Sequence, residues 1–469
     1  MSRKVLRASF RDPSGFLFED GDGQIYRQVN RRYQQDFELL QRSGLYEQLS
    51  RNGMLIEHEI ANDVQPHGDD GYCVIRPRRL RFISYPYEWA FSALKDAALL
   101  TLEIQLRAMD HGMQLKDASA FNVQFDGCRP IFIDTLSFER LNVDRPWKAY
   151  GQFCRHFLAP LALMAKTHMD AGYLLRDYMD GIPLDVASRM LPSRTRLSIG
   201  LQLHLHWHAK MIAKHQTTRP AGDGSDGTNR RQSREFRMPI NRLKAYLENV
   251  RNTVRRLHPR LSQSEWAGYY EENSYSRAGF EQKQELVARF LKLARPATVW
   301  DLGANTGVFS QIACKLGAFT CGFDIDPACV ERAYLNGQKT KQGSFLPLRM
   351  NFANPSPSLG WAHAERNSLA GRGPADVVMA LALIHHLAIS NNVPLPEIAK
   401  YFRELGKKLI IEFVPKQDPQ VERLLANRED VFDNYHQAGF EEAFGQHFEI
   451  EDVQPVGNDG RYLYIMSAR

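Results

Sequence analysis

The sequence predicts an α/β protein in two parts: an N-terminal α+β domain of two lobes and a C-terminal doubly wound sheet. Three observations predict it. The chain has 469 residues, more than one ordinary core accommodates. Residues 219–234 read RPAGDGSDGTNRRQSR, almost free of apolar side chains, which is linker composition. After residue 298 strand and helix patterns alternate, whereas before the linker a strand-rich stretch gives way to helices. The expected divisions are 1–215, a flexible linker over 216–239, a basic helical segment with a lid over 240–295, and the sheet domain over 296–469.

Composition narrows the class. Hydrophobic residues are 43% and charged residues 24%, which excludes wholesale disorder, a collagen-like repeat and a coiled coil. The longest apolar run, 157–165, is far short of the ~20 residues a membrane helix needs, so no membrane span is expected. The opening residues carry no apolar segment behind their charges, so no signal peptide is expected. The 6 cysteines are scattered without a Cys-x-x-Cys pair, which argues against a disulfide scaffold and for a cytoplasmic location. The net charge of +6 is uneven: residues 230–260 hold ten basic side chains against Glu235 and Glu248. Without interleaved aromatics this stripe reads as a solvated helix face, and nucleic acid is disfavoured as a partner.

The elements follow in order. Two short apolar strands within 15–29 flank Asp20-Gly21-Asp22-Gly23, a hairpin signal. A helix over 33–49 and a strand-rich stretch to about residue 86 follow, and 90–111 repeats apolar residues at helical spacing. Strands over 121–125 and 130–133 are joined by Asp126-Gly127, and the rest to 215 is mostly helical. Past the linker, helices are expected over 240–257 and 280–293, the second stopped by Pro296. Strands are then expected over 298–302, 319–324, 346–350, 375–380 and 408–414. Helices over 308–316, 327–336 and 395–405 intervene, and strands over 448–453 and 462–467 form an antiparallel edge pair.

The strongest functional signal is Val299-Trp-Asp301-Leu-Gly303-Ala-Asn305-Thr-Gly307, an apolar strand running into a glycine turn that opens a helix. The next strand ends in Asp324, placed to accept hydrogen bonds from a ribose diol. A dinucleotide site would want Gly-x-Gly-x-x-Gly. This loop is Gly-x-x-x-Gly with an acid ahead of it, which repels a pyrophosphate and suits a ligand carrying an amine and a sulfonium. A doubly wound domain without a cofactor and a nicotinamide enzyme are the competing readings.

The loop resembles motif I of the class I S-adenosylmethionine-dependent methyltransferases, and Asp324-Ile-Asp326-Pro resembles the acidic motif that follows it there. The run from Ala375 to Leu387, through His385 and His386, looks like that family's fourth strand and the turn after it. The resemblance covers roughly 264–469 and implies a Rossmann-like fold with S-adenosyl-L-methionine as cofactor. By it, Asp301, Gly303 and Gly307 hold the amino acid end and its backbone, Asp324 the ribose, and Asn351 with Phe352 the adenine, with Asn305 also cofactor-binding. Trp266, Tyr269 and Tyr270 are lid candidates, or packing aromatics on a preceding helix. Candidates for a base or other catalytic group are His385, His386 and Glu412, at strand ends facing the expected pocket. The loop from Asn354 to Arg366, with Trp361 and Glu365, is a substrate-loop candidate. Base-amino methylation is disfavoured, since no Asn-Pro-Pro-Tyr motif follows the fourth strand.

The N-terminal part carries a second constellation. Asp117 and Asn122 share one loop after a long helix, and a hairpin returns the chain to Asp134. Such hard oxygen ligands suit Mg2+ on a nucleotide triphosphate such as ATP. The segment resembles the catalytic loop and metal-binding acid of protein-kinase-like and aminoglycoside-phosphotransferase-like folds. It departs from them in Leu115, where a histidine is usual, and in Thr135-Leu136 after the acid. Arg27 is the one basic residue placed like the usual lysine. The His204-x-His206-x-His208 run lacks a carboxylate partner and reads as structural, with no metal expected.

The two-part layout is similar to a group of bacterial methyltransferases, some of them nodulation-related, which implies a small-molecule or glycan acceptor. The leading expectation is a methyltransferase with a degenerate kinase-like domain. A bifunctional kinase–methyltransferase and a non-catalytic cofactor-binding sensor are the alternatives. The oligomeric state is not legible.

Overall fold

The structure, a computed structural model, describes residues 3–211, 239–259, 277–340, 343–426, 428–458 and 460–469. The linker expected at 219–234 and the lid candidates Trp266, Tyr269 and Tyr270 lie outside the described residues. The chain forms two compact units, 1–125 with 130–260, and 126–129 with 261–469.

The first unit opens on an antiparallel sheet of β1 (Lys4–Val5), β2 (Gly15–Glu19), β3 (Ile25–Asn30), β4 (His58–Ile60) and β5 (Gly71–Pro77), in the order β1-β2-β3-β5-β4. The Asp-Gly-Asp-Gly turn joins β2 to β3 as expected, and Phe18 stacks on Tyr26 across the pair, ring centroids 5.3 Å apart. The single helix expected over 33–49 is two, Gln34–Arg42 and Leu45–Arg51. Gly44 between them takes φ 77°, which ends one helix and starts the next. The helix Phe91–Asp110 follows, with Ala97, Ala98, Leu102 and Ile104 fully buried. Two small hairpin sheets then form: β6 (Met113–Leu115) with β9 (Phe138–Arg140), and β7 (Val123–Asp126) with β8 (Arg129–Phe132).

The basic helix, Ile240–Arg255, belongs to this first unit, although composition grouped it with 240–295. Its apolar face (Leu243, Leu247, Val250, Val254) is buried. Arg251 pairs with Glu103 at 2.8 Å and Lys244 with Asp110, both on the Phe91–Asp110 helix. Lys95 caps the helix end through the carbonyls of Arg255 and Leu257, 2.8 Å each. Part of the basic stripe is therefore ion-paired, not simply solvated.

The second unit is a seven-stranded sheet of β10 (Thr298–Leu302), β11 (Phe319–Asp324), β12 (Phe345–Arg349), β13 (Ala375–Ala380), β14 (Gly406–Phe413), β15 (Phe448–Val456) and β16 (Arg461–Ala468). Its order is β12-β11-β10-β13-β14-β16-β15, with β10 to β14 parallel and β16 antiparallel to both neighbours. The order reverses between β10 and β13, so the ligand crevice of such a sheet lies off their carboxyl ends. The helix Arg277–Ala294 covers one face, packing Val287, Phe290 and Leu291 on Val299, Val377, Met379, Ile410 and Ile465. No helix among the described residues is long and apolar enough to cross a membrane.

Candidate functional site

The site is built where β10 leaves the sheet. Gly303 and Gly307 take φ 80° and 86°, conformations that cost a side-chain-bearing residue energy. Asn305 between them is also left-handed, φ 49°, and its side-chain oxygen accepts the Thr306 N–H at 2.7 Å. The loop is tied to the tip of β11 three times. Gly303 and Ala304 N–H both donate to the Phe323 carbonyl at 2.8 Å, and Asn305 N–H donates to Asp324 Oδ2 at 2.7 Å. The other Asp324 oxygen accepts the Asp326 N–H at 2.8 Å, and Asp326 caps the helix Pro327–Lys339.

Asp301 and Asp324 are alike in electrostatics. Burial pushes the Asp301 carboxyl up to about 6, and the nearby Asp324 charge adds to it. Burial pushes Asp324 up to about 6 as well, with the Asp326 charge adding to it. A raised acid favours its neutral form in the fold. The stability it contributes is complete below the ordinary carboxylate range and is lost as pH rises through about 6. The site is short of positive charge, so a cation suits it and a pyrophosphate does not. Asp301 itself is 1% exposed and accepts the Ser310 hydroxyl at 2.6 Å, so it shapes the loop from beneath.

Asn351 follows β12 half-buried, and its side-chain oxygen accepts the Ala353 N–H at 2.9 Å, closing its own turn. Phe352 stands edge-on to Phe323, centroids 6.0 Å apart. The 354–366 loop is held in shape by Glu365, whose carboxylate accepts the Trp361 N–H at 2.7 Å. Ala362 and His363 are both left-handed there, at φ 52° and 54°, and Trp361 is 69% exposed.

The catalytic candidates His385 and Glu412 share two cationic neighbours, Lys283 and Arg461. His385 and His386 follow β13 with ring centroids 4.2 Å apart. Burial holds both imidazoles below the ordinary range, the His386, Arg461 and Lys283 charges adding to it at His385. His385 is 3% exposed, and its Nδ1 finds no hydrogen-bond partner among the described residues. Glu412, expected at a strand end facing the pocket, is held by two cations. It is 0% exposed, inside β14, with Lys283 Nζ 2.6 Å from Oε2 and Arg461 3.6 Å from Oε1. Arg461 also pairs with Asp418 at 2.6 Å. Residues 409–413 of β14 are buried, and the one carboxylate among them is compensated by these cations. The sequence reading missed Lys283, Arg461 and Ser310. Lys283 had a signal: it falls on the apolar 280, 283, 287, 290 stripe of its helix.

In the first unit the structure brings the second constellation together. Asp134 Oδ1 lies 3.0 Å from Arg27, which also pairs with Asp12 at 2.6 Å. The Ser137 hydroxyl donates to the other Asp134 oxygen, and Asn122 donates to Ser137 at 3.2 Å. Asp117 accepts the Ser119 N–H at 2.9 Å, and burial, then the Asp134 charge, raises its carboxyl above the ordinary range. The acid expected to hold Mg2+ thus already has a guanidinium and a hydroxyl. No group of three or more His, Cys, Asp or Glu that could hold a metal ion occurs among the described residues. His204 bonds Tyr150 at 2.9 Å and Asn249 at 2.7 Å, a structural role.

Fold and site together define a two-unit protein whose second unit is a doubly wound α/β domain with an acid-flanked glycine loop at its switch point. The chain is 36% identical over 463 residues to nodulation protein NoeA of Rhizobium meliloti (strain 1021), covering 98% of this chain and 95% of that protein. It belongs to the NoeA family. No family model matches the sequence. Among solved structures, magnesium protoporphyrin IX methyltransferase of Synechocystis PCC 6803 with bound SAH aligns at 20% identity, covering 43% of this chain and 91% of its own, TM-score 0.31. A SAM-dependent methyltransferase of Aquifex aeolicus aligns at 16% identity, covering 44% and 100%, TM-score 0.32.

Proposed function

We propose that the chain is an S-adenosylmethionine-dependent methyltransferase acting on a small-molecule or glycan acceptor, with a kinase-like first unit that no longer transfers phosphate. The observation that carries the methyltransferase reading is the pair of raised carboxylates, Asp301 and Asp324, flanking a left-handed glycine loop at the switch point. When bound, S-adenosylmethionine supplies an electrophilic methyl on a cationic sulfur. Asp324 would accept from the ribose, the bare backbone of Gly303 would admit the ligand closely, and Phe352 would flank the adenine. His385 and His386, neutral near pH 7, can take a proton from an acceptor hydroxyl. The exposed Trp361, on a loop fixed by Glu365, offers the acceptor an apolar face.

The charge argument makes a pH prediction. A cationic ligand favours the ionised carboxylates, so affinity should rise with pH through about 6 and level off near 7. Calorimetry should find binding about tenfold weaker at pH 5 than at pH 7.5. The neutral thioether product should show a smaller dependence. Equal affinity for S-adenosylmethionine across this range would refute the charge complementarity.

For the first unit, Arg27 on Asp134 supports the degenerate reading over the bifunctional one. Millimolar Mg2+ with ATP is expected to raise the melting temperature of the full chain by less than about 1 °C, since weak sites stabilise little by mass action. A large shift, with labelled phosphate transfer lost in Asp117→Asn, would establish the bifunctional alternative.

A further inference from the structure

The helical end of the first unit holds a feature the cofactor reading does not use. A helix starts at Ile199–Leu201, passes through a π-helical stretch, Gln202–Trp207, and continues to Met211. Four-residue steps along it fall on Ile199, Leu203, Trp207 and Met211. In an α-helix four residues overshoot a full turn by about 40°. In a π-helix, with its wider turn, they fall short of one. The two drifts offset, so these side chains form one apolar stripe. Ile199 is 81% exposed, Trp207 53% and Met211 61%, and Leu197 just ahead is 86% exposed. The rotation of the helix is fixed by buried His206, whose ring nitrogens bond Ser188 at 2.8 Å and Thr195 at 2.9 Å.

Charge says what meets this stripe. Residues 186–211 contain no Asp or Glu. Arg194, Arg196 and Lys210 are exposed beside the apolar residues. The basic helix Ile240–Arg255 runs alongside so closely that a Cβ on Gly200 would meet Thr253 Oγ1 at 2.1 Å, and its end adds exposed Arg255 and Arg256. A second copy of the chain would set these cations against their own kind. We propose that this face docks on an anionic lipid bilayer, the stripe entering the boundary of the acyl chains and the arginines meeting lipid phosphates.

The test uses the full-length chain and sedimented vesicles. Wild type should bind vesicles of mixed phosphatidylglycerol and phosphatidylcholine, and bind phosphatidylcholine alone at least about tenfold less. Ile199→Ser with Trp207→Ser, and separately Arg194→Glu with Arg196→Glu, should each lower anionic-vesicle binding about tenfold or more. Their melting temperatures should stay at the wild-type value, since all four side chains are exposed. Absent wild-type binding, equal binding to neutral vesicles, or unchanged binding in both variants would overturn the proposal. So would a dimer in sedimentation velocity that Ile199→Ser with Trp207→Ser abolishes while vesicles go unbound.

Discussion

Asp324→Ala is expected to weaken S-adenosylmethionine binding by about 2–3 kcal/mol, roughly 30- to 150-fold, the scale of a lost charge-assisted hydrogen bond. The carboxylate anchors two backbone donors, the Asn305 N–H on one oxygen and the Asp326 N–H on the other, and stands ready for a ligand diol at the strand tip. Asp324→Asn keeps the shape but loses the charge and one acceptor: its amide oxygen accepts from one of those N–H groups, and its NH2 cannot accept from the other. We expect Asn to recover only part of the melting temperature of the free protein, because one buried N–H loses its acceptor, and to recover little affinity. Calorimetry finding wild-type affinity in both variants would remove Asp324 from the site.

The second large effect is one of stability. Glu412→Ala removes the carboxylate 2.6 Å from Lys283 in the core, and breaking one side of a buried pair costs about 3–5 kcal/mol. In a unit of this size that lowers the melting temperature by roughly 10 °C. Lys283→Met should cost a similar amount. Lys283→Met with Glu412→Met together should cost well under the sum of the singles, because the pair is removed whole. A catalytic base would behave otherwise: Glu412→Gln would abolish turnover with the melting temperature untouched, and that outcome would restore Glu412 to the mechanism.

How far the sequence could be read depended on whether a signal was local. β10, β11, β13 and the helix Leu395–Leu405 fall at the expected bounds, because apolar runs with turn residues at both ends leave little choice. The glycine loop and Asp324 were legible for the same reason, since loop, strand tip and acid lie within one strand–helix–strand repeat. What was missed is non-local. Glu412 reads as an acid at a strand end, and only the Lys283 and Arg461 contacts, from a distant helix and strand, turn it into a core ion pair. Arg27 was placed correctly on an early strand, but its bond to Asp134 across more than a hundred residues has no sequence signature. The helix Ile240–Arg255 is legible as a helix, but its ion pairs to Glu103 and Asp110 are likewise remote in sequence.

The three bonds that tie the glycine loop to β11, two to the Phe323 carbonyl and one to Asp324, also have a kinetic consequence. Much of the loop's ordering is done by the fold itself, so an arriving ligand need not meet that entropic cost. Association should then follow a single exponential whose rate grows in proportion to ligand concentration, with no slow closing phase from this loop. Differences in affinity among ligands that share the same nucleoside should appear in how long each stays, not in how fast it arrives.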